Sequence, residues 1–172
     1  TELPGVPAES DLAVRAAAAL KRETGCPFGV ELAVTKRIPQ GGGLGGGSSD
    51  AASVLLALNR LWDVGLPRAE LVRIGSALGA DVPFFLHGEP AVGRGIGEQL
   101  TPVSLPRYWA AVIAPTVRVQ TASIFAAAEL TRDGQSAKMD VFSEGYGRND
   151  LQPIAVARFP ATATALTMRR ER

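Results

Sequence analysis

The stretch from Pro39 to Ala52 reads Pro-Gln-Gly-Gly-Gly-Leu-Gly-Gly-Gly-Ser-Ser-Asp-Ala-Ala, so the chain must turn a glycine loop directly into a helix. Six of the seven residues from Gly41 to Gly47 are glycine. Such a backbone can take positive φ and bring N–H groups close to a ligand with no Cβ between them. The first turn of the following helix leaves N–H groups unpaired and carries the positive end of the helix dipole. Loop and helix start together favour a phosphate.

A glycine tract between domains is ordinarily a linker, but here both flanks read as core elements. Val30, Leu32 and Val34 alternate with Glu31, Ala33 and Thr35, which predicts a half-buried strand entering the loop. Ala51, Val54, Leu55, Leu58, Leu61 and Trp62 fall at helical spacing, with Ser48 or Ser49 as the expected N-cap and Gly65 just past the end. The loop lacks the Gly-Lys-Ser/Thr ending of the Walker pattern, since Ser48 and Ser49 follow Gly47 directly. Gly41, Gly43 and Gly46 fit a dinucleotide fingerprint only as any glycine run would. The carboxylate that fingerprint requires about 20 residues on, after a second parallel strand, is missing.

With 172 residues the chain can bury a substantial core, in one domain or in parts of two. Eighteen basic and seventeen acidic residues leave a net charge of +1, which gives no reason to expect a nucleic-acid partner. Arg169, Arg170 and Arg172 read as a solvated helix end. The single cysteine, Cys26, excludes an intramolecular disulfide and a cysteine zinc site, and its place between Gly25 and Pro27 suggests a structural role. No apolar run reaches the length of a membrane span, so a cytoplasmic protein without membrane partners is expected. Thr1 leads straight into Leu3-Pro4-Gly5-Val6-Pro7, which reads as the interior of a longer polypeptide.

Ser10 or Asp11 is expected to cap a helix from Leu12 to about Glu23, closed by Gly25. Pro67 starts another, with Leu71, Ile74 and Leu78 on its apolar face. Asp81 then stands out as the only charged residue between Arg73 and Glu89. It reads either as the cap of a short turn containing Pro83 or as a general base in a partly dry pocket, and the two roles are compatible. Beyond Gly88-Glu89-Pro90, short strands are predicted at Ala91–Arg94 and Gly97–Thr101, with a buried strand at Tyr108–Ala114. Thr121 is placed to cap a helix holding Ile124 and Phe125. Residues 131–147 read as a surface loop, and a final helical region from Leu151 is interrupted at Pro160.

Taken in order, these motifs resemble the GHMP small-molecule kinases, in particular the branch with an extended ATP loop and a cytidine-bearing substrate. The likeness rests on Pro39–Ala52, Leu78–Phe85, Gly95–Leu100, Thr121–Phe125 and Asn149–Leu151. It implies an α+β fold of two domains, a ribosomal protein S5 domain 2-like N-terminal part and a ferredoxin-like C-terminal part, here incomplete at both ends. Residues 1–92 would be the remainder of the ATP-binding domain and residues 93–172 the first part of the substrate-binding domain. ATP and Mg2+ would be the cofactors and a small molecule the partner. Pro39, Gly41, Gly42, Gly43, Leu44, Gly45, Gly46, Gly47, Ser48 and Ser49 would bind ATP, with Ser48 or Ser49 on the metal. Asp81 would take the substrate hydroxyl proton, and Ile96, Thr121 and Phe125 would line the substrate pocket, Phe125 by stacking on cytosine.

Ala122 departs from the proline that this branch often carries after the threonine. Three further features of such kinases are not found in this sequence: an early strand with a lysine beside the catalytic aspartate, an aromatic-histidine pair for the cytidine group, and a late glycine motif. Lys21 and Lys36 do not match that lysine. The resemblance therefore implies a fragment of low activity. A mevalonate- or homoserine-type kinase and a non-catalytic nucleotide-binding module are the competing readings.

Overall fold

The computed structural model describes residues 7–38, 43–107, 109, 111–113, 117, 119, 121–132 and 149–167. The chain divides into two compact units, one of Thr1–Gln40 with Gly45–Ser104, the other of Gly41–Leu44 with Leu105–Arg172.

The first unit is built on helix α1, Leu12–Thr24, and helix α2, Gly46–Leu61. Asp11 starts α1 by accepting a hydrogen bond from the Ala13 N–H at 2.8 Å, and Gly25, at φ 65°, ends it. Ala13, Ala16, Ala17 and Ala19 are buried with Leu20 on one face of α1. Their small side chains let α2 approach closely, and Ala51, Ala52, Leu55 and Leu58 answer from α2. Cys26 is buried in this core, in keeping with the structural role expected of it.

Two expectations at this end of the chain are corrected. Residues 30–35 form no strand. Leu32, Val34 and Lys36 are half-buried while Glu31, Ala33, Thr35 and Arg37 are exposed, so the period of two is real. A strand, however, needs a ladder partner, and none pairs with this segment among the described residues. Helix α2 also begins two residues before Ser48, with Gly45 as its N-cap at φ 68°. Glycine alone takes that backbone angle without strain, and both serines consequently lie inside the first turn.

Helix α3, Arg68–Ser76, and helix α4, Val82–His87, close the core with Leu71, Ile74, Val82 and Leu86. They touch at Gly75. A Cβ there would stand 2.8 Å from both Leu86 Cδ1 and Val82 Cγ1, two fully buried side chains with no room to retreat. Overpacking costs about 1–3 kcal/mol and the helix gains about 1 kcal/mol when alanine replaces glycine. Gly75→Ala is therefore expected to destabilise the first unit by about 1 kcal/mol, read as a lower denaturation midpoint at unchanged m-value. A rise in the midpoint would contradict this packing.

After α4, strands β1, Ala91–Arg94, and β2, Gln99–Pro102, form an antiparallel hairpin with Val92 opposite Thr101 and Gly93 opposite Leu100. Helices and this small sheet give an α+β chain, as expected. In the second unit, α5, Thr121–Phe125, α6, Gln152–Arg158, and α7, Pro160–Thr167, bury Ile124, Ala127 and Ile154. Pro160 interrupts the last helical region where the sequence places the break. Of the strand expected at 108–114, the described residues Trp109, Val112 and Ile113 are exposed and unladdered, while Tyr108, Ala110 and Ala114 lie outside the described residues. Residues 133–148, most of the expected surface loop, also lie outside them.

Candidate functional site

Three glycines fix where the first turn of α2 sits. A Cβ on Gly45 would meet the Phe85 ring at 2.8 Å, one on Gly46 would meet Ile38 at 3.3 Å, and one on Gly47 would lie 3.5 Å from Leu12. The helix start is thus packed on three sides by apolar groups with its backbone bare. The first intrahelical bond after the cap runs from the Ser49 N–H to the Gly45 carbonyl at 2.9 Å, and Gly45 offers no side chain to the preceding N–H groups. Such a terminus is suited to an anion. Gly43, at φ 70°, and half-exposed Leu44 precede it. Pro39, Gly41 and Gly42 lie outside the described residues.

The Asp81 segment borders this helix start. A Cβ on Gly79 would stand 4.0 Å from Ser48 Oγ, so the serine faces the Gly79-Ala80-Asp81 turn. On the other side, Gly97 of the hairpin turn approaches the Ala80 carbonyl, to 3.9 Å from the place of a Cβ. Three motifs far apart in sequence therefore meet around residues 79–81.

Asp81 occupies the N-cap position of α4, but its carboxylate makes no capping hydrogen bond. It is also exposed, which corrects both the cap and the partly dry pocket expected from sequence. The reason is local: α4 follows the Gly79-Ala80 turn, Asp81 has helical backbone angles, and the Val82 N–H bonds the Gly79 carbonyl at 3.1 Å instead. The carboxylate is left unengaged among the described residues.

Ile96 projects from the hairpin turn, 79% exposed. Glu98 holds that turn from beneath, accepting from the Ile96 N–H at 2.8 Å and from Gln99 Nε2 at 3.3 Å. Bonds from its own backbone N–H and from that of Ile96 keep the Glu98 carboxyl below its ordinary value of 4.5. A depressed carboxylate adds stability above its unfolded pKa and loses it as pH falls through the folded one. The Ile96 amide resonance is accordingly expected to titrate with a midpoint under 4.5, and a midpoint at or above that value would exclude the Glu98 contact.

The other expected substrate residues are in the second unit. Thr121 opens α5. Phe125 is 54% exposed while Ile124 beside it is buried, so core packing does not account for the ring. Arg132 clamps the carbonyl of Phe125 at 2.6 Å and that of Ala127 at 3.2 Å, holding the end of the helix that presents it.

One residue set aside in the sequence proves central to the first unit. Lys36 Nζ lies 2.5 Å from Asp50 Oδ2 and 3.2 Å from Asp11 Oδ2, joining the second turn of α2 to the cap of α1. The inward period of Leu32 and Val34 continues to Lys36, and that was the available signal. Burial works to lower the ammonium pKa, but the hydrogen bonds it donates to Asp50 and Asp11, with their charge, outweigh burial and raise it.

Residues 11–89, which hold α1, the glycine loop, α2, α3 and the Asp81 segment, match the GHMP kinases N terminal domain. The likeness to the GHMP kinases at family level therefore covers residues 11–89. It is 57% identical over 171 residues to the 4-diphosphocytidyl-2-C-methyl-D-erythritol kinase of Cupriavidus necator, covering 96% of this chain and 59% of that enzyme. It is 53% identical over 166 residues to the enzyme of the same name from Aromatoleum aromaticum, covering 96% and 58%. A solved structure of 4-(cytidine 5'-diphospho)-2C-methyl-D-erythritol kinase superposes with a TM-score of 0.73 at 36% identity, over 92% of this chain and 60% of that one. The chain thus spans about three fifths of the length of the curated relatives it matches.

Proposed function

We propose that the full-length protein phosphorylates the 2-hydroxyl of 4-diphosphocytidyl-2-C-methyl-D-erythritol with ATP as donor, in non-mevalonate isoprenoid precursor synthesis. The observation that carries this reading is the meeting of the α2 start, the Asp81 turn and the Gly95–Glu98 turn in one unit. The names of the relatives support that choice of substrate. Phosphoryl transfer asks a protein mainly for positioning and charge stabilisation. Backbone N–H groups at Gly45–Ser48 are suited to the ATP phosphates, and Asp81, unengaged and beside that turn, to accepting the hydroxyl proton.

The donor set also suits a hard cation: the Ser48 hydroxyl facing the Asp81 turn supplies oxygen chemistry of the kind Mg2+ takes, with Ser49 as the alternative. Bound there, Mg2+ would neutralise phosphate charge. Ile96 and Thr121 are assigned to the substrate pocket and Phe125 to stacking on the cytosine ring, a use that suits its exposed face. Residues 1–92 are taken as part of the ATP-binding domain, residues 93–172 as the beginning of a ferredoxin-like substrate domain, and the protein as cytoplasmic. Among the described residues no helix is long and apolar enough to cross a membrane.

The test is a substrate panel with the full-length protein and ATP. ADP release and a phosphorylated product are expected with the cytidine-bearing diol and not with mevalonate or homoserine. Turnover of either competitor in preference, or nucleotide binding without transfer to any of them, would replace this reading. We expect the 172-residue chain alone to turn over poorly, since the relatives extend well beyond it.

A further inference from the structure

Lys36 belongs to no part of the site as described above, yet its three-way ion pair stands directly beside the helix start. Asp11, only 4% exposed, caps α1, and Asp50 follows Ser49 in α2. The apolar packing has the same partners: Gly46 rests on Ile38, two residues from Lys36, and Gly47 rests on Leu12, next to Asp11. Lys36 is thus the polar bond in a joint whose apolar contacts seat the first turn of α2. Its charge matters as well as its reach. Two carboxylates converge here, and the ammonium offsets one of them.

We propose that Lys36 is a positioning residue for the phosphate cradle, pinning α2 just behind its first turn to the cap of α1 and offsetting carboxylate charge that would repel an entering polyphosphate. This rests on reading Gly45–Ser49 as the site of the ATP phosphates. Lysine suits the task because its flexible stem reaches two acceptors on different helices, while its charge is compact. Removing it would leave Asp11 and Asp50 facing each other without a cation and would release α2 on its N-terminal side. A purely structural ion pair would change melting and leave nucleotide affinity alone.

The experiment uses the full-length protein and measures calorimetric binding of a non-hydrolysable ATP analogue, steady-state kcat and KM for ATP, and melting temperature. Lys36→Met is expected to weaken the analogue about 10- to 100-fold, the scale on which small misplacements of a binding element act. Its kcat at saturating ATP should stay within about threefold, because the reacting groups are untouched. Lys36→Arg should restore affinity to within about threefold of the parent, since charge and reach are kept. Lys36→Met/Asp50→Asn should bind more tightly than Lys36→Met, because one stranded carboxylate has gone.

Unchanged analogue binding in Lys36→Met, or a loss that arginine does not restore, would overturn the role. Should Lys36→Met fail to fold, Lys36→Met/Asp50→Asn is compared with Asp50→Asn, and equal affinities would overturn it. A parent protein that does not bind the analogue overturns the nucleotide reading of the loop and this role together. A parent that binds it, with Lys36→Met unchanged, overturns the Lys36 role alone.

Discussion

Asp81→Asn in the full-length protein is expected to lower kcat by about 10²- to 10⁴-fold, the usual contribution of a general base, with ATP affinity kept within about threefold. The amide has the shape of the carboxylate but cannot take a proton from a hydroxyl. The substitution is clean for a structural reason: the Asp81 side chain makes no capping bond and is exposed, so no folded contact is lost with it. A melting temperature close to that of the parent should accompany the loss of turnover. Single-turnover measurement with the cytidine-bearing substrate separates the chemical step from product release. A kcat within about tenfold of the parent would remove Asp81 from the role of base and leave it as a residue that only borders the site.

The elements and their faces were largely legible in the sequence, whereas the partnerships were not. Helix α1 shows its limits directly through Asp11 and Gly25, because cap residues act within a turn of where they stand. Pro160 and the glycines of the β1–β2 hairpin mark breaks for equally local reasons. Residues 30–35 show the opposite case. Their alternation correctly gives the inward side chains, but a strand is made by a neighbour, and the period cannot supply one. Local sequence points to a serine as the start of α2 because serine is a common N-cap, while the deciding fact, Gly45 seated against the Phe85 ring, is a contact across forty residues. The part played by Lys36 is hidden in the sequence for the same reason. Nothing local connects it with Asp11 or Asp50. Asp81, by contrast, is conspicuous as a lone charge in an apolar run, although neither the capping bond nor the burial that its neighbours suggest is formed.

The glycine loop allows a test in which two positions share one strain and only one carries a second. Gly43 and Gly45 take φ of 70° and 68°, and a side chain in that region costs roughly 1–2 kcal/mol. A Cβ on Gly43 meets nothing within 4 Å, whereas one on Gly45 meets Phe85 Cε2 and Cζ at 2.8 Å. The Phe85 ring is not free to swing away. It stands edge-on to Phe84 at 5.4 Å and packs against the buried core. Gly43→Ala should therefore lose about 5- to 30-fold in ATP affinity and folding stability combined, the equivalent of the backbone strain. Gly45→Ala should lose more, by displacing α4 beside Asp81 as well as straining the loop. Replacing the ring removes that second cost: Gly45→Ala/Phe85→Leu is expected to recover towards the level of Gly43→Ala when ATP titration and thermal melting are read together. Equal losses at the two glycines, or no recovery in the double variant, would mean that the seat of α2 on Phe85 does not set the geometry of the phosphate cradle. The ordering expected is parent, Gly43→Ala, then Gly45→Ala, because conformational freedom is needed at both positions and close approach at only one.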